Sequence, residues 1–479
     1  MDIHIRIQGQ QGLARQIYSQ LRTGIMDGRL AAGDRLPSTR DLAARLGVSR
    51  KTTLEAYERL GSEGYLQSRP GDGTFVSDNV ARLASPPSPQ PAAQARPAPI
   101  WSRIPAALSL PRPADTLPLD FLGGVTDKTL FPFDAWRRCI SRAVRAQAHG
   151  RGAYRDTAGE QELRLAISRY LAFNRAITCA WQEILVTQGA QQALDLLARV
   201  VLQPGDLVAV EDPGYPPARA CFTALGAKVV PVPVDEQGII VDKLPGQARL
   251  IYVTPSHQFP LGTSMSLERR SQLLEWAQRR GAVIIEDDYD GEYRFEGRPM
   301  DPLKSLDRTG LVAYVGSFSK TIFPELRVGY VVPPASLLAA LNRAKQLCDW
   351  HGSTLTQTAL AHFMLDGDFA KHLRRMHKYY AARRQTLLAR LGGELAPWFE
   401  PVAPSAGIHM VARLKQPLTE KALVDAARGE SIGLYGIAAF YMRQPAQQGL
   451  LFGYGGMGLE KINAALDKLR DLLPRIAPP

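Results

Sequence analysis

Lys320 stands between Ser319 and Thr321 in YVGSFSKTIFPELRVGY, residues 314–330, just beyond an apolar run. A lysine at the mouth of a buried strand loses hydration unless it is paired or its pKa falls. Lowered toward neutrality, it is the side chain that attacks a carbonyl to form a Schiff base. Ser317, Ser319 and Arg327 are the donors a phosphate group would need nearby. Taken alone, the same residues also describe a solvated lysine opening a loop.

Three other stretches could serve the same chemistry. In VTQGAQQALDLLARVV a strand runs into a glycine and then a helix, so the amides of Gly189, Ala190 and Gln191 fall where a helix N-terminus holds an anion. AVIIEDDYDGEYRF ends a buried strand on Asp287, with Tyr289 two residues later. A carboxylate at the C-terminal end of a parallel strand stands where open sheets bind ligands. In EDPGYP, Tyr215 follows another strand, and its ring could stack on a planar ligand or merely pack. Each also has a plain structural explanation: an ordinary strand–helix turn, a capping aspartate, a core tyrosine. Together they are the set pyridoxal 5'-phosphate requires: a lysine for the Schiff base, an acid for the pyridine nitrogen, a phenol at the ring oxygen, an aromatic face and a phosphate cup.

The elements that must position these residues are legible as a pattern. The apolar runs EILVT, LVAVE, KVVPVPV, LIYVT, AVIIED and LVAYVGS alternate with helical patterns. Continuous apolar strands separated by helices predict a parallel-rich sheet covered on both faces, hence an α/β domain. Residues 119–479 are long for one core, so a main lobe and a smaller C-terminal α+β lobe are expected. Residues 79–118 hold ten prolines among many alanines and serines, which predicts an extended linker.

Residues 1–78 read as a separate helical domain. Leu13, Ile17, Leu21 and Ile25 recur every four residues and describe an amphipathic helix ending near Gly28. Ser38, with Asp41 three residues on, can cap a second helix; Gly47 breaks it and Ser49 can cap a third. So short a break is helix-turn-helix spacing. YLQSRPGDGTFV predicts a hairpin around Pro70 to Gly73, which completes a winged helix-turn-helix. In the third helix Leu54, Tyr57 and Leu60 are expected to face the core, and Arg50, Lys51 and Thr52 occupy the first turn, the part of a recognition helix that enters a major groove. Arg40, near the start of the second helix, could read or hold DNA in the same way. Bulk charge lends little support, with eleven Arg and Lys against nine Asp and Glu in residues 1–78. The segment Arg40 to Lys51 is locally basic, with four basic residues and one acidic.

Over the whole chain, 45% hydrophobic and 22% charged residues exclude general disorder, and a net charge of +12 is a mild indication of acidic partners. Cys139, Cys179, Cys221 and Cys348 lack CxxC spacing, which points to buried thiols in a reducing compartment and no zinc site. No signal peptide opens the chain and no apolar run is long enough to cross a membrane, so a cytoplasmic protein is expected.

Two resemblances sharpen these expectations. GDRLPSTRDLAARLGVSRKTTLEAYERLGSEGYLQSRPGDGTFV resembles the GntR-type winged helix, which implies contact with double-stranded operator DNA from Ser38, Arg40, Arg50, Lys51 and Thr52, with Gly71 and Gly73 in the wing. Residues from about 119 to 479 resemble the fold-type I aminotransferases. The order of wing, linker and aminotransferase resembles the MocR/GabR family of bacterial regulators, through TQGAQQALDLL, EDPGYP, TPSHQFPLG, EDDYDGEYR and SFSKTIFPELRVGY. The resemblance implies that Lys320 carries the cofactor, Asp287 pairs with its pyridine nitrogen, Tyr289 bonds its ring oxygen and Tyr215 covers its ring. Gly189, Ala190, Gln191, Ser317, Ser319 and Arg327 would hold the phosphate. It also implies a homodimer in which each DNA-binding domain lies over the partner's large domain.

One departure bears on activity. Aminotransferases usually read Asn-Pro-x-Gly where this chain reads Phe259-Pro260-Leu261-Gly262, so an amide that bonds the cofactor's ring oxygen is missing. Cofactor binding with poor catalysis is expected, and His257 nearby is given no role. The expected function is a transcriptional regulator sensing an amine, an amino acid or the cofactor itself. The alternatives are a working aminotransferase with an appended DNA-binding domain, and a repressor carrying an enzyme relic, against which the intact Lys320, Asp287, Tyr289 and Arg327 argue. The arginine that usually holds a substrate carboxylate is absent from the stretch LLFGY. Arg443, in a loop just before it, is the nearest candidate for an effector carboxylate, and its offset favours an ω-amino acid.

Overall fold

The computed structural model describes residues 5–9, 11–80, 97–104, 117–297, 300–415 and 418–477. The chain divides into two compact units between Pro97 and Ala98. Most of the stretch expected to be a linker, residues 81–96 and 105–116, lies outside the described residues.

In the first unit, helices Leu13–Met26, Thr39–Leu46 and Arg50–Ser62 pack around Ile17, Leu21, Ile25, Leu42, Tyr57 and Leu60. The turn follows from local chemistry. Ser38 Oγ accepts from Asp41 N at 3.1 Å, Ser49 Oγ accepts from Thr52 N at 3.2 Å, and Gly47 takes the left-handed φ of +64° that ends the intervening helix. Strands Leu66–Arg69 and Gly73–Val76 form the expected hairpin. A two-residue strand, Arg35–Leu36, too short to show alternation in the sequence, pairs antiparallel with Gly73–Val76 on its other side.

One expectation about the third helix is corrected. Leu54 is 41% exposed; Thr53 and Ala56 face inward together with the expected Tyr57 and Leu60. Thr53 can be buried because its Oγ1 donates to Thr39 O at 2.7 Å and to Arg50 O at 3.0 Å. A hydroxyl satisfied in this way ties the two helices of the turn together where the sequence pattern suggested a leucine.

The second unit is built on an eight-stranded sheet in the order Leu185–Thr187, Gly329–Val332, Val312–Ser317, Val283–Asp288, Ala248–Val253, Leu207–Asp212, Lys228–Asp235 and Gly238–Ile239. The run from Val312–Ser317 to Lys228–Asp235 is parallel. Gly329–Val332 is antiparallel to both its neighbours. The connection from Ser317 to Gly329 is too short for the helical crossover a parallel pair needs, so the chain returns directly. That return segment carries Ser319, Lys320 and Arg327.

Apolar side chains cover both faces of the sheet. Leu194, Leu197 and Val201 of the helix Gly189–Val201 pack with Val208, Val210, Leu250, Ile285 and Val315 on one side. Leu273, Trp276 and Ala277 of the helix Leu267–Arg280 pack with Ile251, Ile284 and Val312 on the other. Each buried valine, leucine or isoleucine among them contributes roughly 1.5 to 3 kcal/mol, which helps hold the strand ends in register for the site.

The C-terminal lobe is the expected α+β layer. Strands Phe399–Val402, His409–Leu414, Gly449–Gly453 and Tyr435–Gly436 form an antiparallel sheet, and helices Asp368–Gly392, Glu420–Gly429 and Leu459–Ile476 contribute to its core. Leu119–Asp120 pairs in parallel with Ile432–Gly433, so the first strand of the unit joins its last lobe.

Candidate functional site

Lys320 is half-buried, and its Nζ donates to the carbonyl of Gly124 at 2.7 Å. Loss of hydration lowers its pKa below the ordinary lysine value; Asp290 and Asp287 oppose this and Arg327 adds to it. A lysine in this state is closer to the free amine that condenses with an aldehyde. Gly124 has φ +77°, and a Cβ there would stand 2.6 Å from Lys320 Nζ, so this close approach requires glycine.

Asp287 is the penultimate residue of the strand Val283–Asp288 and is buried. Tyr252, one strand over, donates its hydroxyl to Asp287 Oδ2 at 2.8 Å, while Oδ1 has no partner among the described residues. Desolvation pushes its carboxyl pKa up to about 7 against the lowering effect of the Tyr252 bond. An uncompensated buried carboxylate oxygen is costly, and a protonated ring nitrogen is the kind of donor that would satisfy it.

The phosphate-binding candidates come together at one end of the sheet. Gly189 opens its helix at φ +75°, and the Arg327 guanidinium lies against it and donates to Gln188 O at 3.0 Å. Ser317 Oγ donates to Ser319 Oγ at 3.0 Å and accepts from Ser319 N at 3.1 Å. Gln191 turns its amide toward Pro217 O, at 3.4 Å. Helix amides, two hydroxyls and a guanidinium are the donor types that an anion cradle needs.

Aromatic rings line the same region. Tyr215 meets the ring of Phe259 edge-on at 5.5 Å, and Phe259 also packs against Tyr289, His409 and Phe440 at 6.2, 5.7 and 5.0 Å. Tyr289 donates its hydroxyl to His257 O at 2.9 Å and lies 3.1 Å from His257 Nδ1. Phe259 thus brings an apolar ring, not an amide, beside Tyr289.

Sequence reasoning missed several participants. Gly124 is remote in sequence from Lys320, and nothing in its neighbourhood signals the contact. Tyr252 reads as one more strand residue, and Asp290 as part of an acidic run. His257, Asp290 and His409 are buried with donor atoms within 4.8 Å of one another, a spacing that can suit a metal ion. Here the atoms are largely committed to hydrogen bonds: His257 Nδ1 with Asp290, Asp290 Oδ2 with Ile408 N, and His409 Nε2 with Pro260 O. Arg443 is not brought among the cofactor candidates. Its guanidinium donates to Pro231 O on the strand Lys228–Asp235, three strands along from Val283–Asp288, and its loop is held by Asp212, which accepts from the amides of Met442 and Arg443 at 2.7 and 3.1 Å.

In the first unit, Ser38, Arg40, Arg50, Lys51, Gly71 and Gly73 are exposed and Thr52 half-exposed. The hydroxyls of Ser38 and Thr52 are engaged in the caps, Ser38 Oγ donating to Asp41 Oδ2 at 2.6 Å and Thr52 Oγ1 lying 2.8 Å from Ser49 Oγ. At the wing, Gly71 and Gly73 have φ of +81° and +121°. The sequence reading passed over two exposed arginines here: Arg69 lies over the Phe75 ring at 4.6 Å, and Arg35 lies beside Gly73.

Residues 13–76 match the bacterial regulatory proteins of the gntR family, and residues 124–451 match aminotransferase class I and II. The chain is 38% identical over 469 residues to the probable rhizopine catabolism regulatory protein MocR of Rhizobium meliloti, covering 95% of this chain and 92% of that protein. It is 31% identical to the pyridoxine biosynthesis transcriptional regulator PdxR of Corynebacterium glutamicum, covering 95% of each. Among solved structures it resembles the kynurenine aminotransferase of Pyrococcus horikoshii, a complex with PMP, with a TM-score of 0.69, 26% identity, and 83% and 98% of the two chains covered. A GntR-type head and a fold-type I aminotransferase domain in one chain define a DNA-binding regulator of transcription built on an enzyme fold. The chain belongs to the MocR/GabR family of such regulators. Its cofactor is pyridoxal 5'-phosphate, which the lowered lysine, the orphaned Asp287 oxygen and the nearby anion-donor types fit. Among the described residues no helix is long and apolar enough to cross a membrane.

Proposed function

We propose that this regulator senses a small amine or amino acid, or the cofactor itself, in its second unit and adjusts occupancy of an operator by its first, as a cytoplasmic homodimer. Lys320 is the covalent anchor, Asp287 the partner of the pyridine nitrogen, Tyr289 the donor to the ring oxygen and Tyr215 the cover on the ring. Gly189, Ala190, Gln191, Ser317, Ser319 and Arg327 hold the phosphate. The bound cofactor supplies an electrophilic carbon that an amine effector can occupy in place of Lys320. The effector's differential contacts then bias one arrangement of the protein over another.

The observation that carries a binding role over turnover is Phe259, whose ring occupies the neighbourhood of Tyr289 in place of an amide. With Tyr289 as the remaining side-chain donor, the site retains its grip on the cofactor and has less control over the ring's charge during proton transfer. On the DNA side, exposed Arg40, Arg50 and Lys51 at two helix starts, with Gly71 and Gly73 at the wing, are the proposed contacts. Arg443 is the proposed partner of an effector carboxylate. Its place three strands from Asp287 supports a long span between amine and acid, hence an ω-amino acid.

Purified protein tests this directly. Its own upstream DNA is bound with and without β-alanine, γ-aminobutyrate, taurine and α-amino acids, while the visible spectrum is followed. Altered operator affinity with an ω-amino acid, without sustained keto-acid formation, is expected. Sustained turnover with unaltered DNA binding would make the protein a working aminotransferase, and a response to α-amino acids alone would remove Arg443.

A further inference from the structure

His257, given no role above, meets Asp290, Tyr289 and His409. Its Nδ1 lies 2.9 and 3.0 Å from the two oxygens of Asp290, and both side chains are buried. A carboxylate only accepts, so the proton of this pair sits on Nδ1. Tyr289 donates to the carbonyl of the same histidine at 2.9 Å, and its oxygen stands 3.1 Å from that Nδ1. His257 thus holds the phenol through its carbonyl, which takes the phenol's proton, while its Nδ1, committed to Asp290, lies beside the phenol oxygen.

The grip is braced from both lobes. Asp290 Oδ2 also accepts from Ile408 N at 3.2 Å, and the ring of His409 lies 4.5 Å from that of His257. Gly407, at φ +90°, packs so closely that a Cβ would stand 2.1 Å from His257 Cε1, and a Cβ on Gly262 would stand 3.2 Å from Nε2. His409 is held neutral, because burial depresses its pKa to about 3. Among the described residues, the titratable and charged groups facing the pair are Tyr289, Tyr293, His409, Tyr454, Asp287 and Lys320.

We propose that His257 and Asp290 are positioning residues that hold the Tyr289 hydroxyl where it meets the cofactor's ring oxygen. This rests on the assignment of Tyr289 to that oxygen. A phenol has one proton to donate. With the cofactor bound, Tyr289 would give that proton to the ring oxygen in place of His257 O, and the His257–Asp290 pair would keep the phenol in place. With Phe259 where an amide usually stands, no second side-chain amide shares the task, so a small displacement of Tyr289 has a large effect on the ring oxygen.

A double-mutant cycle on the full-length, cofactor-loaded protein tests this, read as the pH midpoint at which the visible band changes. Tyr289→Phe is expected to shift the midpoint by about one unit, a tenfold change in the proton equilibrium. His257→Asn and Asp290→Asn are each expected to shift it in the same direction, and neither to add a shift once Tyr289 is phenylalanine. An unmoved midpoint in Tyr289→Phe would overturn the assignment of Tyr289 itself. A normal Tyr289→Phe shift, with His257→Asn or Asp290→Asn adding its full increment in both backgrounds, would overturn the positioning role alone. Circular dichroism and operator binding identify a variant that fails to fold, and the other member of the pair then decides.

Discussion

Arg327 closes over Gly189 so tightly that a Cβ on Gly189 would stand 2.6 Å from the arginine Nη2. Both residues hold left-handed backbone, with φ of +52° at Arg327 and +75° at Gly189. A non-glycine residue in that region costs roughly 1 to 2 kcal/mol, and its place at a proposed phosphate cradle gives the strain a use. Gly189→Ala is therefore expected to weaken cofactor binding at least about tenfold, since it adds backbone strain and displaces the guanidinium. Cofactor titration followed by absorbance checks this; unchanged affinity would take Gly189 and Arg327 out of the cradle.

The close approach of Lys320 to Gly124 gives a second expectation. Lys320→Ala should abolish the visible band of the purified protein and leave the fold intact, because the lysine's amine donates to a single backbone carbonyl, that of Gly124. Gly124→Ala should retain Lys320 but lose much of the band, since a methyl group would stand 2.6 Å from Nζ and displace it. A band that survives dialysis in Lys320→Ala would mean that another lysine is the anchor.

Buried carboxyls set the pH dependence of the cofactor-free protein. Desolvation raises Asp287, Glu211, Glu286 and Glu292 each to about 7. In the unfolded chain such groups titrate near 4, so between about pH 4 and 7 the folded form binds more protons and stability falls as pH rises. Asp287→Asn should stabilise the cofactor-free protein by roughly 1 to 3 kcal/mol at pH 8 and by little at pH 4, while weakening cofactor binding. Thermal melts at the two pH values measure this; an equal effect at both would mean that Asp287 is not charged in the folded state.

Much of this site was legible because its chemistry is carried by residues beside strand ends. The strands around Asp287, Ser317 and Tyr215 announce themselves by continuous apolar runs, and the loops after them carry the functional groups. The antiparallel return at Gly329–Val332 was not foreseen, since apolar runs do not encode direction. Tyr252, Gly124 and the His257–Asp290 pair were missed for another reason. Their roles come from tertiary contacts at long sequence separation, and tyrosine in a strand or glycine in a loop has an ordinary explanation. Leu54 failed in the opposite sense: its type suits a core, but a satisfied Thr53 holds that position.

The DNA surface permits a cleaner separation of roles. Ser38 and Thr52 belong to the caps of two helices, so Ser38→Ala should cost about 1 kcal/mol of domain stability whatever it does to DNA. Arg50 opens the third helix, exposed and free of that duty. If it reads a base, Arg50→Ala should weaken operator binding by about 1 to 3 kcal/mol and relax sequence preference at one position. If it holds a phosphate instead, the loss should be uniform across sequences and the salt slope should fall by about one. Arg69 and Arg35 at the wing are expected to behave in the second way, since they lie on the strands that flank the hairpin turn and its neighbour. In every case the cofactor band should be unchanged. Footprinting and salt-dependent titration of Arg50→Ala, Arg35→Ala and Arg69→Ala distinguish these outcomes, and an Arg50→Ala protein with wild-type protection and salt response would remove it from the interface.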